Sequence, residues 1–411
     1  MKRLWKTIPP CFSDVQGFQT VLDNTGGMGL VDDPSRYKPL KRDGAMGGRP
    51  HGGRGGEFHR GGRDRLQGRP GGAGDGGRLP PVPGVRVMNS DIRNADIIRG
   101  THQKVLDAFD LGAEHFSPDF VLLAYAPSSS MIGSDLDAGA EEIGARSGLP
   151  AAYVDLHGDK DYLYGISRTL EAMGRLLLTR RETLPNTVNL LGCNTLDWTQ
   201  ETLEDTQRLL TDAGYTVLSR WGWKETTQTL RQASAAQVNL VVNAAGLRLA
   251  RYMEAELGIP YVVGAPFGAD QWAELLARLR GEPAGETPPD GDAPQALVIG
   301  EQLTADAIRR ALLRRGFGGV QVLSFYDMDK AILRPGDQKL SSEDDLAAKT
   351  AQPSLKLVVG NLDYRAAAGR DIPWIGLPDG GSMSPADPTP NFNMAGEALD
   401  RWLDRALAEQ E

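Results

Sequence analysis

Short apolar runs that alternate with amphipathic stretches constrain this chain more than any other feature. FVLLAY (120–125) precedes a helical stretch from Asp135 to Gly148, and AAYVDL (151–156) precedes a longer one from Asp161 to about Arg180. In the longer stretch Tyr164, Leu170, Met173, Leu176 and Leu177 fall roughly on one helical face. Apolar runs of this kind read as buried strands. Strand–helix–strand order then implies a parallel sheet covered by helices on both sides.

The same order recurs. Thr187–Gly192 reads as a strand, and Thr199 can cap a helix that runs to Ala213 and stops at Gly214. TVLSRW (216–221), a helix near 225–235, VNLVVN (238–243), a helix near 246–257 and PYVVG (260–264) continue the alternation. After a Pro/Gly/acidic stretch come ALVIG (296–300), a helix from Ala305 to Arg315, VQVLSF (320–325), LKLVVGN (355–361), IPWIGL (372–377) and a helix from Asn393 to about Ala408. The expected fold is α/β, with three Rossmann-like layers of mostly parallel sheets and a disordered Gly/Arg-rich insertion. The expected units are an N-terminal segment (1–40) packing on the core, the insertion (41–84), Rossmann-like domains at 85–185 and 186–280, a linker (281–294), and a third domain with the C-terminal helix (295–411).

The 411 residues are too many for one ordinary core, in keeping with several units. Within 41–84 no helix or strand period exists, and nine Lys/Arg stand against four Asp/Glu. Such a segment buries little and reads as a solvated insertion. A nucleic-acid arm is the weaker reading: its one aromatic is Phe58, and the whole chain carries a net charge of −9. The N-terminus, MKRLWKTIPPCF, holds no apolar run of signal-peptide length, and no membrane-length apolar run follows anywhere. The expected location is cytoplasmic, without membrane contact.

Three places carry candidate site chemistry. Ser128, Ser129 and Ser130 follow a strand, where hydroxyls and free N–H groups suit an anion, and where serine also caps helices routinely. Cys193 and Asn194, with Asp197, follow the strand 187–192 at the end where open α/β sheets bind ligands; a packed thiol and a helix-start aspartate are the plain alternative. Ser382 closes the loop Asp379–Ser382, whose two glycines let a ligand approach the backbone or simply make a turn. No P-loop pattern GxxxxGK[ST] occurs, so no ATP site is expected in this chain. No catalytic residue is assigned from the sequence.

The middle of the chain, VNLLGCNTLDWTQETLEDTQRLLTDAGYTV and then AAQVNLVVNAAGLRLARYMEAELGIPYVVGAPFG, resembles the nitrogenase component 1 type oxidoreductases. The marks are Val188 to Gly192, Leu209 to Gly214, and Gly258–Pro260 through Pro266–Gly268. SDIRNADIIRGTHQKVLDAFD, FVLLAYAPSSSMIGSDLDAGAEEI and VVGNLDYRAAAGRDIPWIGLP resemble further blocks of that family, in the same order. The resemblance covers about residues 85–410 and, weakly, 1–40.

It implies an oxidoreductase subunit that pairs with itself or with a homologous component 1 subunit. It also implies electrons from an ATP-dependent iron–sulfur reductase, a small-molecule substrate in a cleft between three domains, and an iron–sulfur cluster at a subunit interface. By this resemblance Cys11 is a candidate metal ligand, a buried small hydrophobe being the plain alternative; Asp14 beside it is a candidate oxygen ligand, an exposed turn aspartate being the plainer reading. The chain departs from the family at the other thiolate positions: before Pro127, Ala126 or Tyr125 stands where a thiol is expected, and the two cysteines cannot complete a four-thiolate cluster alone. Two readings stay open: a reductase subunit whose partner supplies most ligands, and a non-catalytic scaffold or cofactor-binding protein that keeps the fold.

Overall fold

The computed structural model describes residues 7–8, 10–33, 86–283, 293–382 and 391–410. The Gly/Arg-rich insertion, Trp5, and most of the 281–294 linker lie outside the described residues.

Among the described residues three sheets form, each from the alternation. β1 (Met28–Asp32), β2 (Val87–Asn89), β3 (Val121–Tyr125) and β4 (Ala151–Tyr153) make the first, in the order β2-β1-β3-β4. β5 (Thr187–Leu191), β6 (Thr216–Trp221), β7 (Val238–Val241) and β8 (Tyr261–Val263) make the second, in the order β6-β5-β7-β8. β9 (Ala296–Ile299), β10 (Val320–Ser324), β11 (Gln338–Lys339), β12 (Leu357–Gly360) and β13 (Trp374–Gly376) make the third, in the order β11-β10-β9-β12-β13. Every ladder in all three is parallel. The central strands are buried along their whole length, which is why they read as unbroken apolar runs. β1 comes from the N-terminal segment and lies inside the first sheet, paired with β2 and β3.

Polar residues inside the second sheet are paired with one another. Asn189 Nδ2 donates to Asn239 Oδ1 (2.8 Å) and to the Ala233 carbonyl (2.9 Å), and its Oδ1 accepts from Ser219 (2.7 Å). Left alone, each would cost more than it returns.

Two helices start elsewhere than expected. The helix placed at Ala305 begins at Gln302, because Glu301 caps it by accepting from Leu303 N (3.1 Å) and Thr304 N (2.9 Å). The helix placed at Asn393 begins at Glu397. Residues before it are held extended instead: Gly396 N donates to the Pro266 carbonyl and Gly268 N to the Gly396 carbonyl, each at 2.8 Å. Gly396 itself has φ +51°, outside the helical region.

The helix Tyr162–Leu177 ties the layers together. It crosses the helix Asp14–Leu22 so closely that a Cβ on Gly165 would stand 2.0 Å from the Asp14 carbonyl oxygen. Its other side meets the helix Leu247–Tyr252 of the second unit, where a Cβ on Gly174 would fall 2.4 Å from Leu249 Cδ1. Among the described residues no helix is long and apolar enough to cross a membrane.

Candidate functional site at the junction of three sheets

The carboxyl ends of strands in the second and third sheets meet the start of the helix that follows β4 of the first sheet, at one junction. Side chains meet there that lie far apart in sequence. Asn194 and Asp197 follow β5, Asn243 follows β7, Glu301 follows β9, Tyr326 follows β10 and Asp379 follows β13. The first unit contributes Asp161 and Tyr162 at the N-terminus of the bridging helix, where Asp161 caps Tyr164 N.

Asp197 is the hub. Its Oδ1 accepts from Tyr162 Oη (2.7 Å), and its Oδ2 accepts from Asn194 Nδ2 (2.8 Å) and Asn243 Nδ2 (2.9 Å). Asn194 is oriented for this by accepting from Leu196 N and Asp197 N through its own Oδ1. Beside this group, Glu301 Oε1 accepts from Ala244 N (2.9 Å). Asp379 accepts from the hydroxyls of Tyr326 and Tyr364 and from Gly381 N. Tyr162 and Tyr326 meet edge to face with centroids 5.1 Å apart, joining the two halves.

Crowding three acids into a poorly solvated junction moves their protons. Burial pushes the Asp197 carboxyl up to about 7; the Asn194 and Tyr162 hydrogen bonds oppose this, and the Glu301 and Asp379 charges add to it. Burial also raises Glu301 and Asp379. It drives the hydroxyls of Tyr162, Tyr326 and Tyr364 well above the ordinary tyrosine range, so these three are donors throughout the physiological range. A carboxyl that titrates near neutrality, hydrogen-bonded to a tyrosine, can hold or release one proton at a bound molecule.

The expected residues are divided by this geometry. Cys11 and Ser382 are brought together: they form an antiparallel bridge, and Phe12 N donates to the Gly381 carbonyl at 2.7 Å. Asn194 belongs to the junction. Cys193 points into the core, fully buried, with its sulfur near the Leu190 and Trp221 carbonyls. Asp14 is bonded to backbone: its Oδ2 accepts from His157 N (3.2 Å) and Gly158 N (3.1 Å), and its Oδ1 from Val15 N (2.8 Å). Ser129 is buried and donates to the Asp32 carbonyl, while Ser130 donates to the Pro127 carbonyl at 3.0 Å. Ser128 shares their four-residue helix, Pro127–Ser130. The Ser130 hydroxyl therefore closes its own turn, and that of Ser129 ties the turn to the end of β1.

Sequence reading missed Tyr162, Asn243, Glu301, Tyr326 and Tyr364. A usable signal existed for three of them. Asn243, Glu301 and Tyr326 each stand two residues beyond the last residue of a parallel strand, where ligand-facing positions of such sheets lie.

The donors do not fit an iron–sulfur cluster held by this chain alone. A cluster needs thiolates. Burial and the neighbouring Asp161 and Asp379 push the Cys11 thiol up to about 11, and burial pushes Cys193 up to about 12. Among the described residues no group of three or more His, Cys, Asp or Glu could hold a metal ion.

Comparison with known proteins agrees with the architecture. Residues 51–332 match the family described as Nitrogenase component 1 type Oxidoreductase, over more than half of the chain. A light-independent protochlorophyllide reductase chain of Zygnema circumcarinatum is 29% identical over 196 residues, 45% of this chain and 38% of that protein. The corresponding reductase chain of Prosthecochloris aestuarii is 28% identical over 220 residues, 49% of this chain and 39% of that protein. The aligned stretches thus span less than half of these relatives. A solved structure titled "Nitrogenase Cp1 at pH 6.5" shares the fold with a TM-score of 0.66 at 10% identity, covering 100% of this chain and 94% of that one. The chain belongs to the nitrogenase component 1 type oxidoreductase family.

Proposed function

We propose that the chain is a nitrogenase-like component 1 oxidoreductase subunit that reduces a small-molecule substrate at the three-sheet junction. The observation that carries this reading is the Asp197–Tyr162 pair, bonded by two asparagines and close to the charges of Glu301 and Asp379. Reduction of an organic substrate adds electrons and protons together. Asp197 can deliver a proton to a substrate atom within reach, and Tyr162, Asn194 and Asn243 hold its carboxylate in place. Cys11 lies near Asp161 and Asp379, and Ser13 pairs with Asp161, whose Oδ2 accepts from Asp327 N (2.8 Å).

In this proposal the electrons come from an ATP-dependent iron–sulfur reductase, and the subunit works in the cytoplasm, paired with itself or a homologous chain. The names of the relatives support the reaction class, a multi-subunit reductase. Neither membrane nor nucleic acid takes part. In this proposal the interface cluster takes most of its ligands from the partner chain.

The packing of Cys193 into the core, away from the bridge that holds Cys11, favours a second reading: a scaffold or cofactor-binding protein that keeps the fold without redox chemistry. Iron and acid-labile sulfide, measured per chain on the complex purified without oxygen from its native host, separate the two. Stoichiometric iron with sulfide is the expected result. A complex free of both sinks the reductase reading and leaves the scaffold.

A further inference from the structure

An open cleft of about 300 Å³ lies beside the junction, between the bridging helix, the start of the helix Leu247–Tyr252 and the loop after β10. Its walls carry Tyr164, Ser167, Arg248, Arg251, Met328 and Asp329. Arg248 and Arg251 are three residues apart, so they share one helical face.

The two arginines are differently engaged. Arg251 is committed to Asp329 through two parallel hydrogen bonds of 2.7 and 2.9 Å. Arg248 is not held in this way. Its guanidinium lies 5.9 Å from the centre of the Tyr164 ring, and its ion contact is a long one, 3.9 Å to Glu171. Glu171 is already shared with Arg175 (2.9 Å) and Arg168 (3.6 Å). One carboxylate thus faces three guanidiniums. Asp155 offsets Arg168 (2.6 Å), Asp329 offsets Arg251, and Asp327 is paired with Lys339. A positive charge remains over, centred on Arg248, in a protein whose net charge is −9.

We propose that this cleft binds a small ligand bearing an oxyanion, a carboxylate or a phosphate, with Arg248 as its principal contact. A guanidinium fork matches either group in geometry and charge. Tyr164 offers a flat apolar wall for the ligand body, and Ser167 adds a hydroxyl. These residues lie outside the Asp197 group, so anion binding here does not depend on the redox reading.

The test is titration calorimetry of the full chain with inorganic phosphate and with citrate, against sodium chloride at matched ionic strength. At least one of the two anions is expected to give saturable heat that chloride does not. Which one saturates tells a phosphate site from a carboxylate site. Arg248→Gln is expected to weaken that binding about tenfold or more, the loss of one charge-assisted contact. Arg401→Gln, on the C-terminal helix, serves as the control and leaves binding unchanged. Arg248 is half exposed, so its replacement leaves the fold intact, which a thermal melt of the variant verifies. Absence of saturable heat with both anions up to about 10 mM, far above an ordinary specific site, overturns the proposal. So does equal affinity in wild type and Arg248→Gln.

Discussion

At Asp197 burial and hydrogen bonding pull in opposite directions, and burial wins. The folded protein keeps a proton there up to about pH 7, whereas an ordinary aspartate gives it up near 3.8. Stability from this group is therefore fully present below the lower value and is lost as pH rises through the higher one. The slope between them is at most about 1.4 kcal/mol per pH unit. Asp197→Asn cannot ionise, so urea melts between about pH 4 and 7 are expected to show a flatter stability profile in the variant than in wild type. Parallel profiles would mean that the carboxyl titrates normally. Tyr326→Phe leaves Asp379 with donors from Tyr364 and Gly381 alone, and should cost about 1–3 kcal/mol in the same melts. The thiols give a third check. With Cys11 raised to about 11 and Cys193 to about 12, neither is a thiolate at pH 8. A disulfide reagent should label both slowly in native protein and fast after unfolding; rapid native labelling would place a thiolate at one of them.

Between elements, a tight demand is the crossing of the helices Asp14–Leu22 and Tyr162–Leu177. Gly17 and Gly165 face each other's backbone there: the Cβ positions fall 2.2 Å from the Tyr162 carbonyl oxygen and 2.0 Å from that of Asp14. Backbone cannot yield as a flexible side chain can. Gly165→Ala should therefore destabilise by about 1–3 kcal/mol or more, and should also displace Asp161 and Tyr162, which open the same helix. Gly144→Ala is the matched control. Its Cβ has ordinary contact at 3.5 Å, and alanine in a helix is favoured by about 0.5–1 kcal/mol. If both variants melt alike, the crossing is looser than these distances require. The two displaced helix starts have the same kind of origin. Glu301 is a weak capping residue by type, yet it caps because its carboxylate also accepts from Ala244 N in the neighbouring unit. Asn393–Gly396 carries a helical pattern, but pairing with the 266–268 backbone holds it extended.

Across the whole molecule, the parallel pairing of β1 with β2 bears on the insertion. The chain must return from Asp32 to the start of β2 at Val87, a distance of a few strand residues. Residues 34–43 alone could span about 33 Å, more than the return needs. Deleting residues 44–84 should therefore leave the melting temperature nearly unchanged, in line with a composition that buries little. A large drop would show that the segment packs on the core.

Much of this architecture is legible in local sequence. TVLSRW is a strand over those same six residues, and Thr199 caps its helix by accepting from Thr202 N. Both signals act within a few residues, through the β-branched and aromatic residues of the strand and a single capping bond. The site is less legible. Ser129 looks like a hydroxyl free for an anion until the Asp32 carbonyl, 97 residues away, claims it. Cys193 and Asn194 are sequence neighbours with opposite fates, one packed and one bonded to Asp197. By itself, then, the sequence determined the alternation, the parallel layers and the family, because periodic burial is written locally. Only the tertiary structure decided that Tyr162, Asp197, Glu301 and Asp379 share one junction. Their meeting depends on how three separate sheets pack, and no local spacing encodes that.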